Sequence, residues 1–415
     1  MKKLLIIGAG FAGLRLARNL AGSHFEIWLI DRNNYHQFQP LFYQVATSGL
    51  EPSSISFPLR KVFQNQKNVH IRCASVEKID TASKKVITGI GSFDYDYLVI
   101  ATGATTNFFG NTDIEKNALP MKSVSEALYL RNKLLQNFED ALTAEAKEQE
   151  ALLNVVVVGA GPTGVEVSGA LAEMKKHILP KDYPELDFSR MNIFLVEAGP
   201  RTLVAMSEKA SAKSKEYLEK LGIKVLTSVN VKNYDGLTAE FSNGQKINTR
   251  LLVWAAGVRG NMLEGIPETN IVRGNRIAVN RHNQIEGYDS IFAIGDIACM
   301  KTDRYPNGHP QVATVANEQA DLLAKNITAL LSGKPMKQYE YSNKGSMATV
   351  GRHLAVVDLP GFKFQGFFAW LFWMFLHLML ILGIKNKLLI FVNWMWKYLT
   401  FDQSLRLIIK PFDKK

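Results

Sequence analysis

The chain of 415 residues is 47% hydrophobic and 21% charged, enough apolar material for two or three domains, which excludes a disordered tail or a small stapled scaffold. Its two cysteines, Cys73 and Cys299, stand too far apart for a Cys-x-x-Cys redox pair or a cysteine metal site, so the chemistry is expected from a bound cofactor. The net charge of +11 suits anionic ligands or an anionic surface, and part of it is local: from Lys385 onward seven basic residues stand against Asp402 and Asp413.

The N-terminus, Met1 to Gly8, superficially resembles a signal peptide, but glycines interrupt its apolar run and Arg15 and Arg18 follow. It reads as a buried strand, and the active domains are expected in the cytoplasm. Strand-like and helical patterns alternate from Lys3 to about Leu331, which predicts an α/β architecture with parallel sheets.

The run Lys3 to Ile7 feeds Gly8-Ala9-Gly10-Phe11-Ala12-Gly13, then a helix, then a strand from Phe25 to Ile30 ending at Asp31. Glycines permit a tight turn and close approach of a pyrophosphate to a helix N-terminus, and a carboxylate ending the next strand can accept hydrogen bonds from ribose hydroxyls. A ligand-free turn could use the same glycines; the ordered set of strand, glycines, helix, strand and acid favours a dinucleotide. Tyr97 to Ile100 then runs into Ala101-Thr102-Gly103.

Ser123 to Leu153 reads as one charged helix leading to a second copy of the device, in which Asn154 to Val158 feeds Gly159-Ala160-Gly161-Pro162-Thr163-Gly164. Pro180 and Pro184 make His177 to Arg190 an irregular excursion before the strand Asn192 to Val196, which ends at Glu197. Two such units imply two dinucleotides, FAD paired with a nicotinamide nucleotide, and hydride transfer from one to the other. Glu197 would attract a ribose 2′-hydroxyl and repel a 2′-phosphate, which favours NADH over NADPH. Arg201 is read as a surface cation or a pyrophosphate contact. Leu251 to Trp254 runs into Ala255-Ala256-Gly257, and Ile291 to Ile294 into Gly295-Asp296, where Asp296 could bind a ribityl hydroxyl or cap a helix.

The eight histidines are dispersed without ligand spacing, so no catalytic metal is expected, and both cysteines read as small buried apolar residues. From Phe364 the composition changes and a new structural unit is expected. Gly366 to Ile384 is a nineteen-residue run without a charge, with His377 as its polar side chain. As a helix it would extend about 28 Å, close to the ~30 Å of a bilayer core, and hydropathy alone reads a transmembrane span. Against that, the aromatic residues crowd into one half of the run, and Lys385, Lys387, Trp394, Trp396, Lys397 and Tyr398 continue a pattern suited to an interface.

At this point the chain resembles the type II NADH:quinone oxidoreductases, single-chain flavoproteins of the pyridine nucleotide-disulfide reductase fold. The most specific stretch is Asp31 to Leu50, DRNNYHQFQPLFYQVATSGL, which resembles the family's loop from the FAD-ribose acid to the flavin ring. Asp96 to Ala104, Gly161 to Glu166, Val253 to Arg259 and Ala293 to Asp296 continue the likeness over essentially the whole chain.

The resemblance implies two Rossmann-like dinucleotide-binding domains and a C-terminal apolar helical membrane anchor. The FAD domain would comprise residues 1–115 and 265–345, the NADH domain 116–264 and the anchor 346–415. Gly8, Gly10, Gly13, Asp31, Thr47, Val76, Thr102, Gly103 and Asp296 would hold FAD, with Val76 beside the adenine. Gly159, Gly161, Gly164, Glu197 and Gly257 would hold NADH. Glu166 matches a glutamate that assists proton delivery, although a helix first-turn acid is its plainer reading. Where members often carry Ala-Gln-x-Ala-x-Gln beside the quinone, this chain has Ala313-Thr314-Val315-Ala316-Asn317-Glu318, then Gln319. Thr314, Ala316, Glu318 and Gln319 therefore stand as quinone-site candidates, with 314 and 318 on one helix face and 319 about 100° away.

The implied activity is transfer of hydride from NADH to FAD and of two electrons to a membrane quinone, ubiquinone or menaquinone, without ion pumping. The implied place is the cytoplasmic face of the inner membrane, as a peripheral or monotopic protein on an anionic lipid surface. A homodimer would cover part of the apolar tail, and no nucleic acid is implied. The rivals are sulfide:quinone and thiol-disulfide reductases, which need flavin-side cysteines, and an NADH-sensing scaffold with incidental turnover.

Overall fold

The computed structural model describes residues 1–403 and 405–409. Lys2–Ile7 (β1) leads into Phe11–Leu20 (α1), Phe25–Asp31 (β2), Phe42–Ala46 (α2), Val69–Cys73 (β3) and Tyr97–Ile100 (β4). The middle carries Val124–Ala141 (α3), Ala146–Leu153 (α4), Val155–Val158 (β5), Pro162–His177 (α5), Ile193–Glu197 (β6), Lys224–Thr227 (β7) and Leu251–Trp254 (β8). Then follow Ile291–Ala293 (β9), Ala313–Leu331 (α6), Ser346–Gly351 (β10), Leu354–Leu359 (β11), Phe362–Gln365 (β12), Phe367–Leu380 (α7) and Ile384–Thr400 (α8).

By compactness the chain divides into two units. The first comprises Met1–Gln37, Phe57–Thr105 and Val258–Asn343; the second comprises Phe38–Ser56, Thr106–Gly257 and the chain from Lys344. The loop after Gln37 and the C-terminal region thus group with the second unit.

In the first unit β9, β4, β1, β2 and β3 lie side by side, all parallel. Leu4, Leu5 and Ile6 are wholly inaccessible, as the central strand of a sheet covered on both faces requires. The chain leaves β1 toward β2 on one side and later places β4 on the other, so a crevice opens at the carboxyl end of β1, where such folds bind ligands. On one face α1 and α6 are tied by Arg15, which donates two hydrogen bonds to the Asp321 carboxylate at 2.7 and 2.9 Å.

The second unit repeats this plan. Leu119–Pro120, β8, β5, β6 and β7 form a parallel sheet in the corresponding order, with the four valines of β5 buried. Each unit also inserts a three-stranded antiparallel meander just before its fourth strand, Val76–Asp80, Lys85–Thr88 and Gly91–Asp94 in the first and Val231–Tyr234, Thr238–Phe241 and Lys246–Asn248 in the second.

Also in the second unit, β10, β11 and β12 form an antiparallel sheet against α5. Gly169 makes that packing possible: a Cβ there would lie 1.5 Å from the Val350 carbonyl oxygen. Along α7 the buried residues are Ala369, Trp373 and His377, four apart on one stripe; along α8 they are Ile390 and Trp394.

Three expectations need correction. The charged helix Ser123 to Leu153 is two helices: Ser123 caps α3, accepting from Glu126 N–H at 3.2 Å, and at the break Gln149 Nε2 donates to the Ala141 carbonyl. The C-terminal structure begins with β10 at Ser346 and not at the change in composition at Phe364: β10 and β11 leave no trace in composition, and it was the family resemblance that put a boundary at 346. Finally, the nineteen-residue apolar run is broken: α7 ends at Leu380 and Gly383, at φ +77°, starts α8. At 1.5 Å per residue α7 reaches about 21 Å, short of a bilayer core, and no described helix is long and apolar enough to cross a membrane.

Candidate functional site

At the carboxyl end of β1, Gly8 adopts φ +100° and a Cβ there would lie 2.4 Å from the Ala101 carbonyl oxygen; one on Gly13 would lie 1.8 Å from the Gly8 carbonyl oxygen. These two glycines are needed by the chain itself. Gly10 is different: its φ is −69° and a Cβ would meet nothing within 4 Å, so it keeps space open above the N-terminus of α1. The Asp31 carboxylate holds the turn from the next strand, Oδ2 accepting from Ala9 N–H and Oδ1 from Asn33 N–H, each at 2.7 Å. Burial raises the Asp31 pKa, and those two hydrogen bonds oppose the rise. Buried His36 braces the turn from the other side through Nδ1 and the Ala9 carbonyl oxygen at 2.9 Å. Beside β1, Thr102 buries a hydroxyl without a partner and Gly103 turns at φ +69°.

Gly295, at φ +74°, donates its N–H to Gln319 Oε1 at 2.7 Å, while Gln311 Nε2 donates to the Asp296 carbonyl oxygen at 2.9 Å. Ala316 packs against the same turn, 3.5 Å from where a Gly295 Cβ would be. An open cradle at a helix N-terminus, an orphaned buried hydroxyl and a fastened acid turn fit a dinucleotide. Val76 is half-buried at the start of the meander. Thr47, in the second unit, is buried and donates to the Tyr43 carbonyl at 2.8 Å, closing α2.

The second unit builds the same cradle. Gly159 (φ +97°) packs on Ala255, a Cβ on Gly164 would strike the Gly159 carbonyl oxygen at 1.8 Å, and Gly161 again faces open space. Glu197 accepts from Ala160 N–H through Oε2 and from Gly199 N–H through Oε1, both at 2.7 Å, as Asp31 does in the first unit. Nearby, Arg201 donates through Nη2 to the Val204 carbonyl and buries Nη1 without a partner, which suits an anionic group. Gly257 turns at φ +69° like Gly103, with the ring of Phe109 packed over it.

A cavity of about 110 Å³ in the second unit is walled by Tyr43, Trp370, Trp373, Trp394 and Tyr398 and contains Glu166 and Glu173 from α5. Glu166 is 8% exposed, and burial raises its carboxyl to about 8, partly opposed by the Thr349 N–H and by the Trp373 indole N–H. The Thr349 contact stands at 3.5 Å, the limit of hydrogen bonding. Burial thus favours the protonated form of Glu166, and the residue lies beyond the first turn of α5, where the plainer sequence reading had placed it.

On α6 the sequence candidates separate. Gln319, expected to point elsewhere, is the buried residue that fastens Gly295. Exposed Thr314 and half-buried Glu318 share a face and engage the tyrosines that follow the helix, Thr314 Oγ1 lying 3.3 Å from Tyr341 Oη and Tyr339 Oη donating to Glu318 Oε2 at 3.0 Å. Cys299 is buried as expected, whereas Cys73, at the end of an edge strand, is exposed. Sequence reasoning missed His36, Gln311 and Trp373. His36 gave no signal, but Trp373 stands one turn before His377 on a four-residue stripe and could have been found from it.

Against known proteins, the family model "pyridine nucleotide-disulphide oxidoreductase" matches residues 2–320 and "NDH2 C-terminal domain" matches residues 343–401. The chain is 36% identical over 414 residues to the type II NADH:quinone oxidoreductase Ndh of Mycobacterium tuberculosis, covering 96% of this chain and 88% of that protein. It is 31% identical over 372 residues to the type II NADH:quinone oxidoreductase of Staphylococcus saprophyticus, covering 88% and 91%. Among solved structures, an NDH2 from Plasmodium falciparum in complex with NADH has the same fold, with TM-score 0.90 at 23% identity over 99% of this chain and 100% of that one.

Proposed function

We propose a division of labour for this chain, which belongs to the type II NADH:quinone oxidoreductases: one glycine cradle holds FAD, the other holds NADH, and a membrane quinone takes the electrons. The observation that carries the assignment is the repetition of the whole device, with sheet order, glycine turn, acid clamp and meander present in both units. When bound, FAD accepts hydride from NADH and returns two electrons to the quinone. In the first unit Gly8, Gly10 and Gly13 shape the FAD pyrophosphate seat, Asp31 orders the turn and meets the ribose, and Thr102, Gly103 and Asp296 supply further contacts, with Val76 in support; Thr47, which groups with the second unit, is the remaining FAD candidate. In the second unit Gly159, Gly161, Gly164 and Gly257 seat the NADH, and Glu197 selects the unphosphorylated ribose.

Glu166 holds a proton in a buried site and gives it to the quinone oxygen as the electrons arrive, a task for which its raised pKa suits it better than the ordinary pKa of a solvated carboxylate. Thr314, Ala316, Glu318 and Gln319 border the quinone, with Gln319 acting through the Gly295 turn.

The outer faces of α7 and α8 expose Phe368, Phe375, Ile384, Leu388 and Leu399, with exposed Lys385 and half-buried Lys387 among them. Such a face suits a monotopic seat in one leaflet of the inner membrane at its cytoplasmic side, apolar side chains in the acyl boundary and lysines at anionic headgroups. A second copy of the chain would cover part of the same face. The assignment is tested by mixing the purified holoprotein with NADH under anaerobic conditions and then adding a short-chain quinone. The flavin absorbance should bleach and then return; failure of either half refutes the corresponding assignment.

A further inference from the structure

The apolar C-terminal helix does more than present a face to lipid. Its buried stripe, Ala369, Trp373 and His377, points into the second unit, and Trp373 is 2% exposed. The Trp373 ring is fixed from three sides: stacked on His377 at 4.0 Å between centroids, edge-on to Tyr43 at 6.4 Å and tilted against Trp394 at 6.1 Å. Its Nε1–H is buried and makes no regular hydrogen bond, and Trp373 lines the cavity that holds Glu166. A buried N–H without a partner is costly and uncommon, so a group that needs it part of the time is its natural explanation.

The other charged and titratable groups of the cavity are engaged elsewhere. On α8, Lys397 lies 3.6 Å from Glu173 Oε2, two turns along α5 from Glu166. Arg352, after β10, takes its backbone N–H to Glu173 and holds its guanidinium between the rings of Tyr398 and Phe401, at 4.2 and 4.0 Å. His377 is kept neutral by burial, its pKa lowered to about 4, with Nδ1 against the Trp373 carbonyl oxygen. Tyr43 from α2 is a buried phenol whose pKa burial and the neighbouring Glu166 both raise, and His177 lies at the far end of α5. Among the described residues no cation pairs with Glu166, so the neutral donors around it are what can stabilise its carboxylate.

We propose that the Trp373 indole N–H is the donor that sets the proton affinity of Glu166, so that the membrane-facing helix completes the proton-holding site. Trp373 is a positioning residue in this scheme, and the inference rests on the reading of Glu166 given above. While Glu166 is protonated, the indole contact is long and weak. When the carboxyl O–H breaks and its proton forms an O–H bond on the quinone, the carboxylate left behind draws the indole N–H into a full hydrogen bond, since bonds to charged acceptors are the stronger ones. Reprotonation loosens it again.

The test is Trp373→Phe, which keeps a ring and removes the N–H. The protonated carboxyl of Glu166 is followed in the holoprotein by infrared difference spectroscopy across pH, its band assigned by loss in Glu166→Gln. The midpoint should move upward by about one pH unit, a tenfold change in proton affinity, and the alkaline limb of the quinone half-reaction should move with it. An unchanged or lowered midpoint overturns the proposal. Should Trp373→Phe not fold, the unmodified protein labelled with 15N-tryptophan answers the same question. One of its six indole resonances should titrate with the Glu166 midpoint and stop doing so in Glu166→Gln; none doing so overturns the proposal. Neither spectroscopic readout requires turnover, so a failed quinone assay would count against the role of Glu166 and not against this contact.

Discussion

Replacing Glu197 with Gln separates two things that one carboxylate does. Its charge bears on the nucleotide: two unit charges about 5 Å apart at an effective dielectric of about 20 repel by about 3 kcal/mol, on the order of a hundredfold against a 2′-phosphate. Solvent at this half-buried position reduces that to roughly ten- to a hundredfold. Its two oxygens also bear on the protein, since Oε1 and Oε2 accept from Gly199 and Ala160 N–H at 2.7 Å each. A glutamine has one acceptor oxygen, so its NH2 would face a backbone donor and cost about 1–3 kcal/mol in turn order. That loss falls on both nucleotides and cancels in their ratio. Steady-state kcat/KM for NADH should therefore drop about tenfold or more, while the NADH-to-NADPH ratio narrows by at least tenfold. Equal kcat/KM for the two nucleotides in the unmodified enzyme, or a ratio unmoved in the variant, would refute the assignment.

Other substitutions separate ligand seats from chain packing. Gly10→Ala should leave the apoprotein's melting temperature nearly unchanged and weaken FAD retention on a desalting column, whereas Gly13→Ala, with 1.8 Å to a carbonyl oxygen, should destabilise the fold by about 1–3 kcal/mol or more. Gln319→Ala strands the Gly295 N–H and should lower FAD affinity by about 1–3 kcal/mol in titration of the apoprotein, in contrast to Glu318→Ala, which should slow quinone turnover and leave flavin reduction by NADH near its original rate. Glu166 carries a pKa of about 8 folded against 4.5 as a free side chain, so the unfolded chain releases its proton first. Stability should fall as pH rises from about 4.5 to about 8, by a few kcal/mol in all, and Glu166→Gln should remove that slope, gaining more in melting temperature at pH 8 than at pH 5. Alkaline carbonate should release the protein from membranes at least partly, because α7 is too short to span; complete retention would contradict the monotopic seat.

The paired glycine turns were legible because their requirements are local. A tight turn at Gly8, carbonyl contact at Gly13 and an acid ending β2 each need a particular residue type at a fixed spacing, and the second unit repeats them. What was hidden depends on distant packing. Hydropathy counts Gly366 to Ile384 as one run and cannot weigh the break at Gly383, and composition does not reveal that Trp373 and Trp394 face inward, Trp394 donating to Gln44 Oε1 at 2.8 Å. For that reason a truncation near Lys363, which from sequence looks like clean removal of an anchor, would strip buried walls from the Glu166 cavity as well. The part Asp31 and Glu197 play in fastening the turn was likewise invisible, since a backbone N–H has no sequence signature.

The central claim is that this chain moves electrons from NADH to a quinone, and steady-state NADH oxidation by the purified FAD-loaded protein, with and without a short-chain quinone, tests it most directly. The account predicts oxidation that depends on the quinone, reaches the ordinary enzyme range of roughly 1–1,000 per second, and is far slower with NADPH. Turnover of only a few per minute, unchanged by quinone, would contradict it.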